Sequence, residues 1–173
     1  MSHPEQQQYI AHVKSLFPEY FTKVKVLEIG SLDVNGTIRD HFDFCTYTGI
    51  DLGEGPGVDV VKRGERADWE SGSFDTVISA ECFEHTPFYL PIFVNMWRMS
   101  RGMVIFTCAT TGRLEHGTVN AAPECSPLTH TNYYRNVTAQ DFSGLPLDRM
   151  FVTHEFTTNE QSHDLYFWGS VNQ

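Results

Sequence analysis

Glu28, Gly30 and Ser31 close an apolar run, Asp51 follows 23 positions after Glu28, and Glu84-His85 closes a second apolar run. An acid inside a strand is costly unless paired or hydrogen-bonded, so Glu28 is expected to hold a loop or a ligand. The turn from Gly30 to Gly36 leads into a helix start at Thr37. A strand, a glycine-bearing loop and a helix start bring backbone N–H groups close to a ligand of nucleotide type. A dinucleotide loop wants glycines at its first, third and sixth positions. Here those are Gly30, Leu32 and Asn35, so only the first fits, and Leu32 would obstruct a pyrophosphate. His85 is a candidate general base, because an unperturbed imidazole with pKa near ~6.5 takes a proton near neutrality. Capping the following helix or hydrogen-bonding a loop is its alternative. His116 and His130, with Glu115, Glu124 and Cys125, also read as metal donors, but their spacings match no tight zinc pattern and no metal is expected.

These groups need elements to position them. Val24, Val26, Leu27 and Ile29 predict a buried strand at 24–29, followed by a short helix near 37–43. Thr46 to Asp51, Val58 to Val61, Phe74 to Ala80 and Met103 to Thr107 predict four more strands. Between the last two, Thr86-Pro87 starts a helix whose Phe88 to Met99 stripe reads as core. Ahead of them all, Ser2-His3-Pro4-Glu5 has capping-box spacing, and Tyr9, Val13, Leu16, Phe17 and Tyr20 recur at helical intervals up to Pro18. Strands interleaved with helical patterns imply an open, mostly parallel sheet flanked by helices. Residues 111–136 show no period, as in a functional lid or binding loop. Thr138 to Asp141 resembles a helix start, and Phe151 to Thr157 with Leu165 to Val171 predict an antiparallel hairpin.

The 173 residues suffice for one domain. At 40 % hydrophobic and 13 % aromatic the chain is too apolar for a disordered protein. No run approaches the ~20 apolar residues of a membrane span. The N-terminus lacks a basic n-region and an apolar h-region, so a cytoplasmic protein is expected. Four cysteines without paired spacing agree, and Cys82 and Cys108 fall in strand-like runs. Twelve basic against twenty-two acidic residues give a net charge of −10, which repels nucleic acid and favours a small-molecule partner. Nothing in the composition fixes the oligomeric state.

Three stretches together resemble the class I S-adenosylmethionine-dependent methyltransferases, in particular their compact methyltransferase-domain members. Val26-Leu27-Glu28-Ile29-Gly30 looks like the family's first motif, and Tyr47-Thr48-Gly49-Ile50-Asp51 like its second strand with a terminal acid. Gly72 to His85 is similar to its fourth motif. The resemblance spans residues 24–107 and implies a Rossmann-like α/β fold: a mostly parallel seven-stranded sheet with an antiparallel C-terminal hairpin and helices on both faces. It implies a single domain over 1–173: an N-terminal helix at 1–23, a cofactor-binding half at 24–110, an acceptor loop at 111–136, and a C-terminal helix and hairpin at 137–173. It also implies S-adenosyl-L-methionine as cofactor and methyl transfer to an oxygen or nitrogen of a small-molecule acceptor. Asp51 would accept the ribose hydroxyls. Glu28 and the backbone at Gly30 and Ser31 would hold the methionine end, and Ala80 and Glu81 would line the floor. Leu32, Gly36, Leu52, Gly64 and Glu65 complete the expected cofactor set. Glu84 and His85 would face the methyl group, and His116, His130, Tyr133, Tyr134 and Arg135 would bind the acceptor. Two features depart from the family pattern: the glycine cluster is thinned, and Arg63 stands where an acid near the adenine is common. A non-catalytic module that binds the cofactor, or a nicotinamide-dependent oxidoreductase, are the alternatives.

Overall fold

The computed structural model describes residues 3–129 and 132–172. Its sheet is built from β1 (Lys25–Ile29), β2 (Thr46–Asp51), β3 (Val60–Val61), β4 (Phe74–Ala80), β5 (Ser100–Ala109), β6 (Phe151–Asn159) and β7 (Asp164–Val171). The seven strands lie in the order β3-β2-β1-β4-β5-β7-β6. The pairs from β3 through β5 are parallel. β7 runs antiparallel to both β5 and β6, closing the sheet with the expected hairpin. β1 and β4 are neighbours although two strands separate them in sequence, so the order reverses there. In open α/β sheets ligands bind outside the strand carboxyl ends at such a point.

The alternating pleat sends each strand's apolar side chains to two cores. One core collects Leu27, Val77, Phe106 and Phe167 under helix α2 (Tyr89–Met99), whose Ile92, Phe93, Met96 and Met99 face inward. Phe106 lies at its centre, stacked on Phe167 with ring centroids 5.2 Å apart. The other core collects Val26, Ile78, Ile105 and Trp168 beneath helix α1 (Pro4–Leu16). The predicted stripe at 88–99 is therefore core, with Ile92 also reaching the crevice described below.

Several predicted elements are shorter or displaced. The helix expected at 37–43 is a single 3-10 turn, Arg39–His41. Phe44 behind it has φ 56°, which ends helical geometry, and Ile38 and Phe42 are drawn into the core under α1. α1 covers that face instead: Gln7 donates to the Thr37 carbonyl (3.0 Å), and Lys14 to the His41 carbonyl and the Asp43 carboxylate (2.6 Å each). The expected capping residue Ser2 lies outside the described residues. His3 is the N-cap, its ring bonded to Glu5 at 3.0 Å, and Pro4 takes the first helical position, where its missing N–H costs nothing. β3 shrinks to an exposed two-residue edge. Residues Ala139–Phe142 form a 3-10 turn closed by the reciprocal Thr138–Asp141 capping box. A one-turn helix α3 (Leu147–Met150) leads into β6. Cys82 lies beyond the end of β4, whereas Cys108 is buried within β5. No helix among the described residues is long and apolar enough to cross a membrane.

Candidate functional site

A crevice open to solvent lies at the carboxyl ends of β1, β2, β3 and β4. Gly30 forms its back. Its φ of +81° favours glycine, and a Cβ there would stand 2.7 Å from the Cys82 Cβ. The loop's amides are bonded within the protein: Gly30 and Ser31 N–H both donate to the Ile50 carbonyl (2.9 and 3.1 Å). Leu32 N–H donates to Asp51 Oδ2 (2.9 Å) and Asp33 N–H to the Pro56 carbonyl (2.8 Å). Of the backbone at Gly30 and Ser31 that was expected to hold a ligand, β2 has thus claimed both N–H groups. A loop with its leading donors satisfied internally also offers no cradle to a pyrophosphate.

Asp51, at the end of β2, lines the wall. Its second oxygen accepts Leu52 N–H at 2.7 Å, and burial raises its pKa against these two bonds. Each carboxylate oxygen retains a further lone pair for a ligand. Leu52, Arg63, Gly64 and Glu65 continue the wall, with the Arg63 guanidinium paired to the Glu65 carboxylate and lying 5.5 Å over the Phe88 ring. Gly64 is required there, since a Cβ would meet Ile29 Cγ2 at 2.6 Å. The opposite wall comes from Cys125 to Thr129, within the aperiodic segment. Leu128 packs on Gly53 closely enough that a Cβ there would stand 2.9 Å from it.

Past Cys82 the crevice ends in ionisable groups. Glu81 has φ 50°, a left-handed conformation that costs an L-residue ~1–2 kcal/mol. Thr107 holds it by accepting its N–H (2.9 Å), and Gln6 donates to its carboxylate. Burial, with the Glu84 charge second, pushes the Glu81 pKa up to about 8. Glu81 Oε2 lies 3.6 Å from Arg113 and 3.8 Å from His116 Nε2, and Arg113 pairs with Asp164 at 3.0 Å. Glu84 is fully buried, with Ala109 N–H donating to one oxygen (3.1 Å) and no partner for Oε2. Burial raises its pKa. His85 packs edge-on against His116 (centroids 5.0 Å), and Tyr134 touches both rings (5.7 and 4.9 Å). Burial, then the neighbouring His116, lowers the His85 pKa to about 3. That removes the near-neutral basicity expected of this ring.

Of the expected cofactor residues, Gly30, Leu32, Asp51, Leu52, Gly64, Glu65 and Glu81 line the crevice. Four lie elsewhere. Glu28 is buried on the α1 face and accepts the Tyr47 hydroxyl (2.9 Å). Ser31 is buried, its hydroxyl near Gly49. Gly36 is exposed and closes a turn by donating to Asp33 (2.8 Å). Ala80 points into the core under α1, because the pleat gives the crevice to its neighbours. Of the expected acceptor residues, His116 and Tyr134 join the cluster at His85. Tyr133 is half-buried near Tyr89 and Arg135. Arg135 turns outward to Tyr89 (3.0 Å) and Asp141, while its backbone N–H binds the Glu84 carbonyl (2.9 Å). His130 lies outside the described residues. Missed by sequence reasoning were Thr86 and Cys125 to Thr129 on the crevice wall, and Gln6, Arg113 and Asp164 around Glu81. The lack of period over 111–136 marked the segment that holds Arg113 and Cys125 to Thr129 as a binding loop without singling these residues out.

Solved structures share this fold. A 1,6-didemethyltoxoflavin-N1-methyltransferase from Burkholderia thailandensis, with bound 1,6-didemethyltoxoflavin and S-adenosylhomocysteine, matches all of this chain and 92 % of its own at TM-score 0.58 and 14 % identity. The magnesium protoporphyrin IX methyltransferase of Synechocystis PCC 6803, with bound S-adenosylhomocysteine, matches 99 % of this chain and 89 % of its own at 0.59 and 12 %. The fold is that of the class I S-adenosylmethionine-dependent methyltransferases. Phosphoethanolamine N-methyltransferase 2 of Haemonchus contortus, in complex with S-adenosyl-L-methionine, matches 98 % of this chain at 0.66 and 14 %, and this chain spans about half its length (53 %). No family model matches the chain, and no curated protein matches it in sequence.

Proposed function

We propose that this protein binds S-adenosyl-L-methionine in the crevice and transfers its methyl group to an oxygen or nitrogen of a small-molecule acceptor. The observation that carries the reading is the crevice at the β1–β4 reversal, with its loop amides satisfied internally and an acid, Asp51, on its wall. Such a site suits an uncharged nucleoside with an amino-acid tail and disfavours a diphosphate, which also argues against a nicotinamide cofactor. The residues fit the group: Gly30 leaves space that any Cβ would reduce, and the walls at Ile29 and Ile92 are apolar. Bound there, the cofactor would supply a methyl carbon activated by a sulfonium.

Asp51 would accept the ribose hydroxyls through its remaining lone pairs, and the Gly64-Glu65 turn would lie along the base. Glu28 ties β1 to β2 through the Tyr47 hydroxyl. Glu81, His85 and Thr86 would border the reacting end, with His116 and Tyr134 behind His85 shaping the acceptor's space. Catalysis would then rest on placement, which supplies roughly 7–11 kcal/mol where reacting groups are held in line. Calorimetry with S-adenosylhomocysteine tests the reading. Asp51→Ala removes charge-assisted hydrogen bonds worth ~1.5–3 kcal/mol, so binding should weaken about 10- to 100-fold. Absence of binding by the folded wild type, or equal binding by Asp51→Ala, would refute it. Binding without turnover across a broad acceptor panel would instead favour the non-catalytic module.

A further inference from the structure

We infer that Glu84, His85 and His116 form a binding site for one divalent first-row transition-metal ion at the acceptor end of the crevice. One donor atom from each residue lies within 4.8 Å of the other two. Tetrahedral ligands each ~2.1 Å from a zinc ion stand ~3.4 Å apart, so a shift of about 1 Å or less by each of the three side chains completes the site. Glu84 Oε2 and His85 Nδ1 are buried without a hydrogen-bond partner. A buried carboxylate oxygen left unpaired costs about as much as a lost charged hydrogen bond, and a cation removes that cost. His116 Nδ1 donates to the Leu114 carbonyl (3.1 Å), which leaves Nε2 with its lone pair. That outer hydrogen bond is the usual support of a metal-bound imidazole. Two imidazoles and one carboxylate are a donor set of metal-dependent enzymes, in which the ion keeps a position open.

The neighbouring group His3, Glu81 and Asp164 has comparable donors. It already holds a cation, however, because the Arg113 guanidinium lies between Asp164 (3.0 Å) and Glu81 (3.6 Å). His3 stands against the same two acids, 3.6 Å from Asp164 and 3.8 Å from Glu81, so that group is already occupied by basic side chains. His85 lines the crevice, and an ion bound to it would present its open position there. On the reading of the crevice given above, the ion would fix and acidify an oxygen of the acceptor, which selects acceptors carrying a hydroxyl group.

Zinc binding tests this directly. Tag-free protein stripped with chelator is titrated with Zn²⁺ in a calorimeter, and a second portion with S-adenosylhomocysteine. The expected result is one equivalent of Zn²⁺ bound by the wild type, and by His12→Ala as a surface-histidine control. His116→Ala should bind more than ~100-fold more weakly, beyond the ~10–100-fold loss typical of outer-shell changes. Glu84→Gln keeps an oxygen for Ala109 N–H and should lose affinity similarly. If it fails to fold, the half-buried His116→Ala decides alone. Wild-type protein that binds S-adenosylhomocysteine but no Zn²⁺, or His116→Ala that binds Zn²⁺ like wild type, overturns the metal site and leaves the methyltransferase reading standing. Zinc binding that depends on His116 without S-adenosylhomocysteine binding supports the metal site and overturns the cofactor reading.

Discussion

Replacing Glu28 with glutamine isolates one buried ionisable group of β1. Glu28 is 5 % exposed and accepts the Tyr47 hydroxyl at 2.9 Å. Burial carries its pKa from 4.5 up to about 7, against the opposing pull of the Tyr47 bond. The folded chain therefore binds this proton more tightly than the unfolded chain between those pH values, and stability falls as pH rises through the window. At ~1.4 kcal/mol per pH unit, the fall from this group totals about 3 kcal/mol. Glutamine has the shape of the protonated acid and keeps an oxygen for Tyr47. The variant should match the wild type near pH 4.5 and exceed it by about 3 kcal/mol above pH 7. In a chain of this length that is a melting-point gain of ~6–12 °C at about pH 8. Glu81 and Asp51, whose burial also raises their pKa values, lose stability in the same direction in both proteins, so the difference between them isolates Glu28. Urea titrations of both proteins from about pH 5 to 8 read that difference. One that stays flat with pH would refute the argument, and so would a variant less stable than wild type at about pH 8.

Gly30→Ala combines the left-handed penalty of ~1–2 kcal/mol with an overpacking cost of ~1–3 kcal/mol against Cys82. Its melting point should fall by about 10 °C, and a fall below ~2 °C would contradict the geometry. Leu128→Ala removes apolar area from the crevice wall worth ~1–1.5 kcal/mol, so S-adenosylhomocysteine should bind about 5- to 10-fold more weakly with little change in melting point. Unchanged affinity would place the 125–129 stretch outside the binding space.

The sheet was legible because packing dictates period. β4 was predicted at its observed bounds because its apolar and β-branched residues are buried on both faces. The hairpin of β6 and β7 showed in its alternation, and the Thr138–Asp141 capping box in its spacing. The helix at 37–43 failed for a non-local reason. Ile38 and Phe42 have helical spacing, yet α1, coming from earlier in the chain, covers that face and leaves room for one turn. Local propensity gives way when another element has already buried the surface a helix would bury.

The site was legible only where a strand end determined it. Asp51, Gly30 and Glu81 could be placed because β2, β1 and β4 end where they were predicted to end. Pleat and hydrogen-bond partners were not visible, so Ala80 was assigned to the floor and the Gly30 and Ser31 backbone to a ligand. The acceptor side depends on a longer-range fact. Helix α2 carries the chain away from Glu84, β5 brings it back so that Ala109 N–H binds the Glu84 carboxylate, and the segment after β5 folds over so that the Arg135 N–H binds the Glu84 carbonyl and His116 meets His85. No spacing rule links residues 85 and 116, because the intervening strand is rigid while the loop beyond it has no period of its own. A search for metal-ligand spacing within 111–136 could therefore only fail. The donors converge across the β4 and β5 ends, and Glu84 becomes an acid with one oxygen unpaired only once the loop has closed over it.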